Sequence, residues 1–357
     1  MSFEPPIPTL CRDGDAVVVL DQTALPHRVA TARIETLEQA AHAITHMQVR
    51  GAPLIGATAA FGVALALRDG ADDARLDHAL AVLAATRPTA VNLHWALARM
   101  RARLAPLPPA ERPGAAWDEA EAIRRHDRDT CAAIGRHGAA LLAHMADGLG
   151  RPLRVMTHCN AGWVATCGAG TATAPVYAAH ALGIDVHVWV SETRPRNQGL
   201  LTEWELRQAG VPHTLVVDNA AGILLARGEV DVVITGADRI ALNGDTANKV
   251  GTYLKALAAR DNGVPVWIAA PWSTVDATLA DGAGIPIEER NADEVRVLAG
   301  TGDDGRPARL RVAPPEAPAG NLAFDVTPAR LIDRIITESG AFAPAELAAA
   351  RPETPHG

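Results

Sequence analysis

The spacing of hydrophobic positions changes twice along the chain. Around residues 13–35 it predicts two short strands about a turn: VVVLD (17–21) is continuously apolar, and TALPHRVATARI (23–34) carries the turn-favouring Pro26. From Leu37 to about Met145, Ala and Leu recur three and four residues apart, in IGATAAFGVALAL (55–67), LDHALAVLAA (76–85) and NLHWALARMRARL (92–104). That period predicts helices, with another over roughly 118–146 and a Pro-rich loop at 105–114. The breaker run DGLGRP (147–152) marks the expected domain boundary.

Beyond it, LRVMTH (153–158), DVHVWV (185–190), HTLVV (213–217), DVVIT (231–235) and VPVWIAA (264–270) are short, β-branched and separated by helical stretches. Buried parallel strands read this way, and the alternation predicts a doubly wound α/β sheet. Residues 300–320 read as a loop or short hairpin, TPARLIDRIITESG (327–340) as a closing helix, and the last residues as a frayed end. The expected organisation is α/β: a mainly helical N-terminal domain with a short β-hairpin (1–148), a Rossmann-like doubly wound parallel-sheet domain (149–345) and a tail (346–357). No internal repeat is visible.

Composition narrows the function. The chain has 357 residues, 48% of them apolar, enough for a real core rather than disorder. Lys and Arg total 33 against 41 Asp and Glu, a net charge of −8. This argues against general nucleic-acid or anionic-membrane binding, while leaving room for a local basic pocket. No uncharged apolar run reaches ~18 residues, so no membrane span is expected. The opening MSFEPPIPTLCRDGD is acidic and proline-broken, unlike a signal peptide. Cys11, Cys131, Cys159 and Cys167 form no CxxC pair, which suggests free thiols in a reducing cytoplasm. Only Lys249 and Lys255 are lysines; everywhere else the cation is Arg, so a retained Lys hints at a need for a compact ammonium.

In open α/β sheets ligands bind beyond the carboxyl ends of the strands. Those ends carry Cys159-Asn160, Ser191 to Gly199, Asp218-Asn219, Asp238-Arg239 and Pro271 to Ser273. A single strand-end Asp or Asn is often a helix N-cap; five polar ends together point to a site. Cys159 is expected at a helix start, where the dipole lowers a thiol pKa. Cys167 reads as core packing. His158, Cys159 and Cys167 lack the close pairs of a zinc site, and His42/His46 lack the Glu of HExxH, so no metal is expected. Gly168 to Thr171 fails as a dinucleotide fingerprint: the third Gly is missing and the run lies about ten residues past the strand. Close packing or an anion-facing backbone suits it better. Arg50-Gly51-Ala52, before the helix 54–67, and Arg87, before another, suit phosphate. Asn243 to Lys249 is expected to open a helix with Asp245 as N-cap, putting Asn248 and Lys249 in its first turn, where Lys opposes the dipole.

The stretches MQVRGAPLIGATAAFG, RPTAVNL, THCNAG, ETRPRNQG, GADRIALNGDTANKVGTY, IPIEER and NLAFDVTPARLI together resemble the 5-methylthioribose-1-phosphate isomerase family, within the group that holds the regulatory subunits of translation initiation factor 2B. The resemblance covers about 15–340. It implies aldose–ketose isomerisation of 5-methylthioribose 1-phosphate to 5-methylthioribulose 1-phosphate in methionine salvage, by a cytoplasmic homodimer without a cofactor. It also implies catalytic roles for Cys159 and Asp238, and sugar-phosphate contacts from Arg50, Gly51, Ala52, Arg87, Gln198, Asn248 and Lys249. Trp163 and the Cys167 to Gly170 run depart from the family pattern and bear on the pocket. An isomerase of 5-deoxyribose 1-phosphate or ribose 1,5-bisphosphate stays open, as does a non-enzymatic regulatory subunit.

Overall fold

The computed structural model describes residues 3–352. The N-terminal sheet has three antiparallel strands, β1 (Leu10–Asp13), β2 (Ala16–Leu20) and β3 (Thr31–Ile34). The expected hairpin thus gains a strand, because Leu10 pairs with Val19 across a tight turn at Gly14. Five helices follow: α1 (Leu37–Thr45), α2 (Ala52–Ala66), α3 (Asp73–Ala84), α4 (Val91–Leu104) and α5 (Arg112–Ala146). Helix α2 is apolar on every side and almost wholly buried, as such a helix must be. Helix α5 begins earlier than its apolar spacing indicates, at the Arg112-Pro113 pair. Its 35 residues span about 50 Å and reach from the helical layer to α6 and the far sheet.

The large sheet has seven strands in the order β16-β15-β10-β7-β4-β5-β6. Its members are β4 (Leu153–Thr157), β5 (Val186–Ser191), β6 (His213–Val216), β7 (Val232–Thr235), β10 (Val266–Ala269), β15 (Arg334–Thr337) and β16 (Gly340–Phe342). All pair parallel except β16. Helices α6 (Ala174–Ala181), α7 (Gly199–Gln208), α8 (Ala220–Ala226) and α9 (Thr252–Asp261) connect them. The five strands expected beyond residue 150 are all present. From β4 the chain first adds β5 and β6 on one side, then crosses to add β7 on the other. The crevice at the carboxyl ends of β4 and β7 is therefore a topological switch point.

Three expectations fail. Residues 243–249 open no helix: β8 (Arg239–Ala241) and β9 (Thr246–Lys249) form a hairpin in a four-stranded sheet with β11 (Val275–Asp276) and β14 (Phe324–Thr327). Asn243-Gly244 is a hairpin-turn pair, with Gly244 at φ +89, and the turn overrides the N-cap reading of Asp245. Asp245 instead accepts from the backbone of Gly282 and Ala329. Residues 327–340 are not a closing helix. Ile335, Ile336 and Thr337 are fully buried in β15, where β-branched side chains packed on both faces favour strand over helix. The chain end is also packed up to Ala350, with Leu347 fully buried against Ile240, Ile268 and Trp272; the rest of the expected fraying falls on 353–357, outside the described residues. Residues 297–311 do form a hairpin, β12 (Val297–Thr301) with β13 (Pro307–Arg311), preceded by the short α10 (Asp293–Arg296).

Candidate active site

Two positive-φ positions build the floor of a cavity at the switch point. Gly51, at φ +100, caps α2, and a Cβ there would lie 2.3 Å from the Ala165 carbonyl oxygen. Only Gly lets the start of α2 press against the loop after β4. In that loop Cys159 itself sits at φ +66, unusual for a non-glycine residue. Its N–H donates to Thr193 Oγ1 (2.9 Å) and its carbonyl accepts from Thr202 Oγ1 (2.8 Å). No α-helix starts at Cys159; a short 3-10 turn follows at Trp163–Ala165 and α6 begins only at Ala174. The expected dipole is absent, and burial pushes the thiol up, opposed by Arg50 and Lys249. The Gly168–Gly170 run packs closely, as expected: a Cβ on Gly170 would lie 2.5 Å from Gly162.

The residues expected at the site come from six separate segments. All nine line this one cavity, of about 110 Å³: Arg50, Gly51, Ala52, Arg87, Cys159, Gln198, Asp238, Asn248 and Lys249. Asp238 follows β7 and is held to β9 through its N–H to the Ala247 carbonyl (2.9 Å). Burial pushes its carboxyl up, against Lys249, Arg87 and Arg50. Asn248 and Lys249 end β9 and are buried; they reach the cavity from a strand, not from a first helical turn. Lys249 Nζ stands 5.5 Å from the Phe324 ring centroid. Burial pulls Lys249, Arg50 and Arg87 down, with Cys159, Asp238 and Glu288 acting oppositely. Arg50 Nη2 donates to Asn160 Oδ1 (2.5 Å). Among the described residues Arg50 Nε, Arg87 Nη1 and Gln198 Oε1 are buried without a hydrogen-bond partner, two donors and one acceptor, a costly state that a ligand with anionic oxygens and hydroxyl groups would relieve.

Two supporting groups lie behind the cavity. Asp218, one of the strand-end polar residues, accepts from the N–H of Thr193 (2.8 Å) and Arg194 (2.7 Å) and from the Ser191 hydroxyl, so it fixes the loop that holds Cys159. Buried Lys255 stands 4.0 Å from it, and buried His158 3.8 Å. Burial and Lys255 pull His158 down to about 3, leaving it neutral with Nε2 facing the Val250 carbonyl. Lys255, the second of the two lysines, thus lies buried behind the cavity. Glu205 on α7 is fully buried and unannounced by any motif.

Two more cations line the cavity: Arg196, from the polar strand end Ser191 to Gly199, and Arg290, from the IPIEER stretch, neither of them given a substrate role by the sequence. Both are held by carboxylates: Arg196 by Glu294 (3.0 Å), Arg290 by Glu288 (3.0 Å) and Glu294 (2.9 Å). Met47, Ile285 and Phe324 add apolar wall.

The model of the Initiation factor 2 subunit family matches residues 48–344. A methylthioribose-1-phosphate isomerase of Dechloromonas aromatica is 61% identical over 328 residues, covering 92% of this chain and 91% of that one. The crystal structure of 5-methylthioribose 1-phosphate isomerase from Pyrococcus horikoshii OT3 superposes with a TM-score of 0.83 at 37% identity, over 97% of this chain and 95% of that chain. A translation initiation factor eIF-2B, subunit delta, from A. fulgidus superposes with 0.79 at 35% identity, over 95% and 97%.

Proposed function

The chain belongs to the Initiation factor 2 subunit family, and from that premise we propose that it is the methylthioribose-1-phosphate isomerase of methionine salvage. One observation carries the reading beyond fold: residues from six distant segments, expected for that reaction, line a single cavity.

The substrate carries phosphate on C1, so its anomeric oxygen is blocked and no free aldehyde forms spontaneously. The enzyme must open the furanose with phosphate attached. That takes a proton donor at the ring oxygen, and an enclosed carboxyl pushed up by burial can stay protonated for the task. Asp238 is that donor. Arg50, Arg87, Asn248 and Lys249 clamp the phosphate, supplied from both the helical layer and the sheet side. The hydrogen at C2 then moves to C1, either through Cys159, which takes the C2 proton and returns one at C1, or by a direct shift; the C2 hydroxyl proton goes back to the Asp238 carboxylate, so the ketone forms and the acid is restored. A thiol pushed up by burial is a poor thiolate base, which favours the direct shift. Hydrogen moves within one substrate, so no external oxidant is needed.

Arg196 and Arg290 could have formed a second anion site. Glu294 and Glu288 hold them, which supports an uncharged C5 substituent over the second phosphate of a bisphosphate. A regulatory subunit has no use for Cys159 and Asp238 in one enclosed cavity. We read residues 1–148 and 149–345 as a helical and a Rossmann-like domain closing on the substrate. We also read the working form as a cytoplasmic homodimer. No helix of the described residues is long and apolar enough to cross a membrane.

Phosphorus and proton NMR of the purified protein with 5-methylthioribose 1-phosphate, beside 5-deoxyribose 1-phosphate, tests the reading. Rapid appearance of a ketose 1-phosphate from the methylthio sugar is expected. No product from either sugar refutes the isomerase assignment.

A further inference from the structure

Glu205 is wholly enclosed, yet among the described residues no cation forms an ion pair with its carboxylate. Oε1 accepts from Asn160 Nδ2 (3.0 Å) and Val164 N (2.7 Å), and Oε2 from the Tyr177 hydroxyl (3.2 Å). A buried carboxylate without an ion-pair partner is costly, and a neutral side chain of similar shape is cheaper for folding. Room for it is also bought at a distance: a Cβ on Gly162 would lie 1.6 Å from Oε2. Packing does not explain a residue that the fold must make such provision for.

What Glu205 does lies one hydrogen bond further on. Its bond to Nδ2 leaves Asn160 Oδ1 turned the other way, where it accepts from Arg50 Nη2 (2.5 Å). Arg50 Nη1 also reaches the Asn160 backbone carbonyl (3.4 Å). The amide can be assigned one way only, because both its ends have partners of opposite kind. Gln198, at the N-cap of α7, and Thr202 and Glu205 within the helix stand four and three residues apart on one face: Gln198 lines the cavity, Thr202 grips the Cys159 carbonyl, and Glu205 turns Asn160.

We propose that Glu205 is a positioning residue: through the side-chain amide of Asn160 it orients and polarises the Arg50 guanidinium for substrate phosphate. This rests on the phosphate role assigned to Arg50 above. An amide strung between a carboxylate and a guanidinium is polarised in one direction, so both bonds strengthen together.

The test is a double-variant cycle on inorganic phosphate affinity, read by calorimetry on the full chain at pH 8, where the Glu205 carboxyl is ionised. Glu205→Gln keeps the shape and an acceptor for Asn160 but removes the charge; phosphate binding weakens about three- to tenfold. In an Arg50→Lys background, which keeps the cation but loses the two-nitrogen contact with Asn160, the same change alters affinity less than about twofold. Equal losses in both backgrounds mean that Glu205 acts on the fold alone and overturn the proposal, as does no loss in the first. Should Glu205→Gln not fold, Asn160→Ala takes its place in the cycle with the same expected non-additivity. Absence of phosphate binding by the unaltered protein removes the role of Arg50 and the proposal with it. Turnover is measured separately. A coupled cycle without turnover of 5-methylthioribose 1-phosphate sinks the isomerase reading and leaves the positioning intact; turnover with an additive cycle does the reverse.

Discussion

Replacing Glu205 by Gln is expected to stabilise the protein at alkaline pH while it weakens anion binding. Burial pushes the Glu205 carboxyl from 4.5 up to about 7, despite hydrogen bonds from Asn160, Val164 and Tyr177 that favour the charge, and despite nearby Arg50. The folded protein therefore holds this proton more tightly than the unfolded chain does. The stabilising contribution is fully present below about pH 4.5 and is lost as pH rises through about 7. At about 1.4 kcal/mol per unit of pKa, the loss across that window is about 3 kcal/mol. Unfolding entropy of roughly 2 cal/mol/K per residue converts this into about 4 °C of melting temperature for a chain of this length. Gln carries no proton to lose, so the variant lacks this term. Thermal melts of both proteins by circular dichroism at pH 5, 6, 7 and 8 check it. The variant's melting temperature, relative to the unaltered protein, should climb by about 3 °C from pH 5 to pH 8, because a small part of the term is already lost at pH 5. Parallel curves would refute the reasoning, because they would mean that the carboxyl is not enclosed as described. The opposite signs in stability and binding are informative together: a residue kept only for packing gives losses in both.

Other outcomes follow from the same geometry. Asp238→Asn, which cannot give up a proton to the ring oxygen, should lower kcat by about 10²- to 10⁴-fold with substrate affinity largely kept, as single-turnover and binding measurements would show. Gly51→Ala places a methyl group 2.3 Å from the Ala165 carbonyl at φ +100, so urea unfolding should show a loss of about 2–4 kcal/mol and KM should rise; unchanged values sink the close-approach argument. Asp218→Asn should slow turnover more than it weakens phosphate binding, because it loosens the loop that holds the Cys159 N–H. With substrate deuterated at C2, the direct shift predicts full retention of label at C1; loss to water assigns Cys159 as the base.

The sequence made the parallel strands and their polar ends readable because buried strands are short, β-branched and continuous, and because chain order places active groups at strand ends. Cys159, Asp218 and Asp238 were visible on that ground alone. The failures share one cause: local spacing was asked to decide what partners decide. TPARLIDRIITESG has helix-like spacing, but Ile335 and Ile336 are fully buried within β15, paired with β10 and β16, and burial on both faces wins. Asn243 to Lys249 has a good N-cap residue, but Asn-Gly closes a hairpin first.

Lys249 is the instructive case. Its sequence setting predicts a first helical turn where Lys opposes the dipole, but there is no such helix; β9 carries it to the cavity instead. What survives is the scarcity of lysine, for both lysines turn out to be buried at or behind the site, where compact ammonium groups face Cys159 and Asp238 in one case and Asp218 in the other. Glu205 left no comparable trace, since a glutamate in a helix is ordinary until its surroundings are known. Its meaning lies in Gly162, Asn160 and Arg50, which are 43, 45 and 155 residues away in the chain. A residue whose role is to aim another is legible only once the fold has brought the pair together. The sequence can therefore name the groups that touch substrate sooner than the groups that hold them in place.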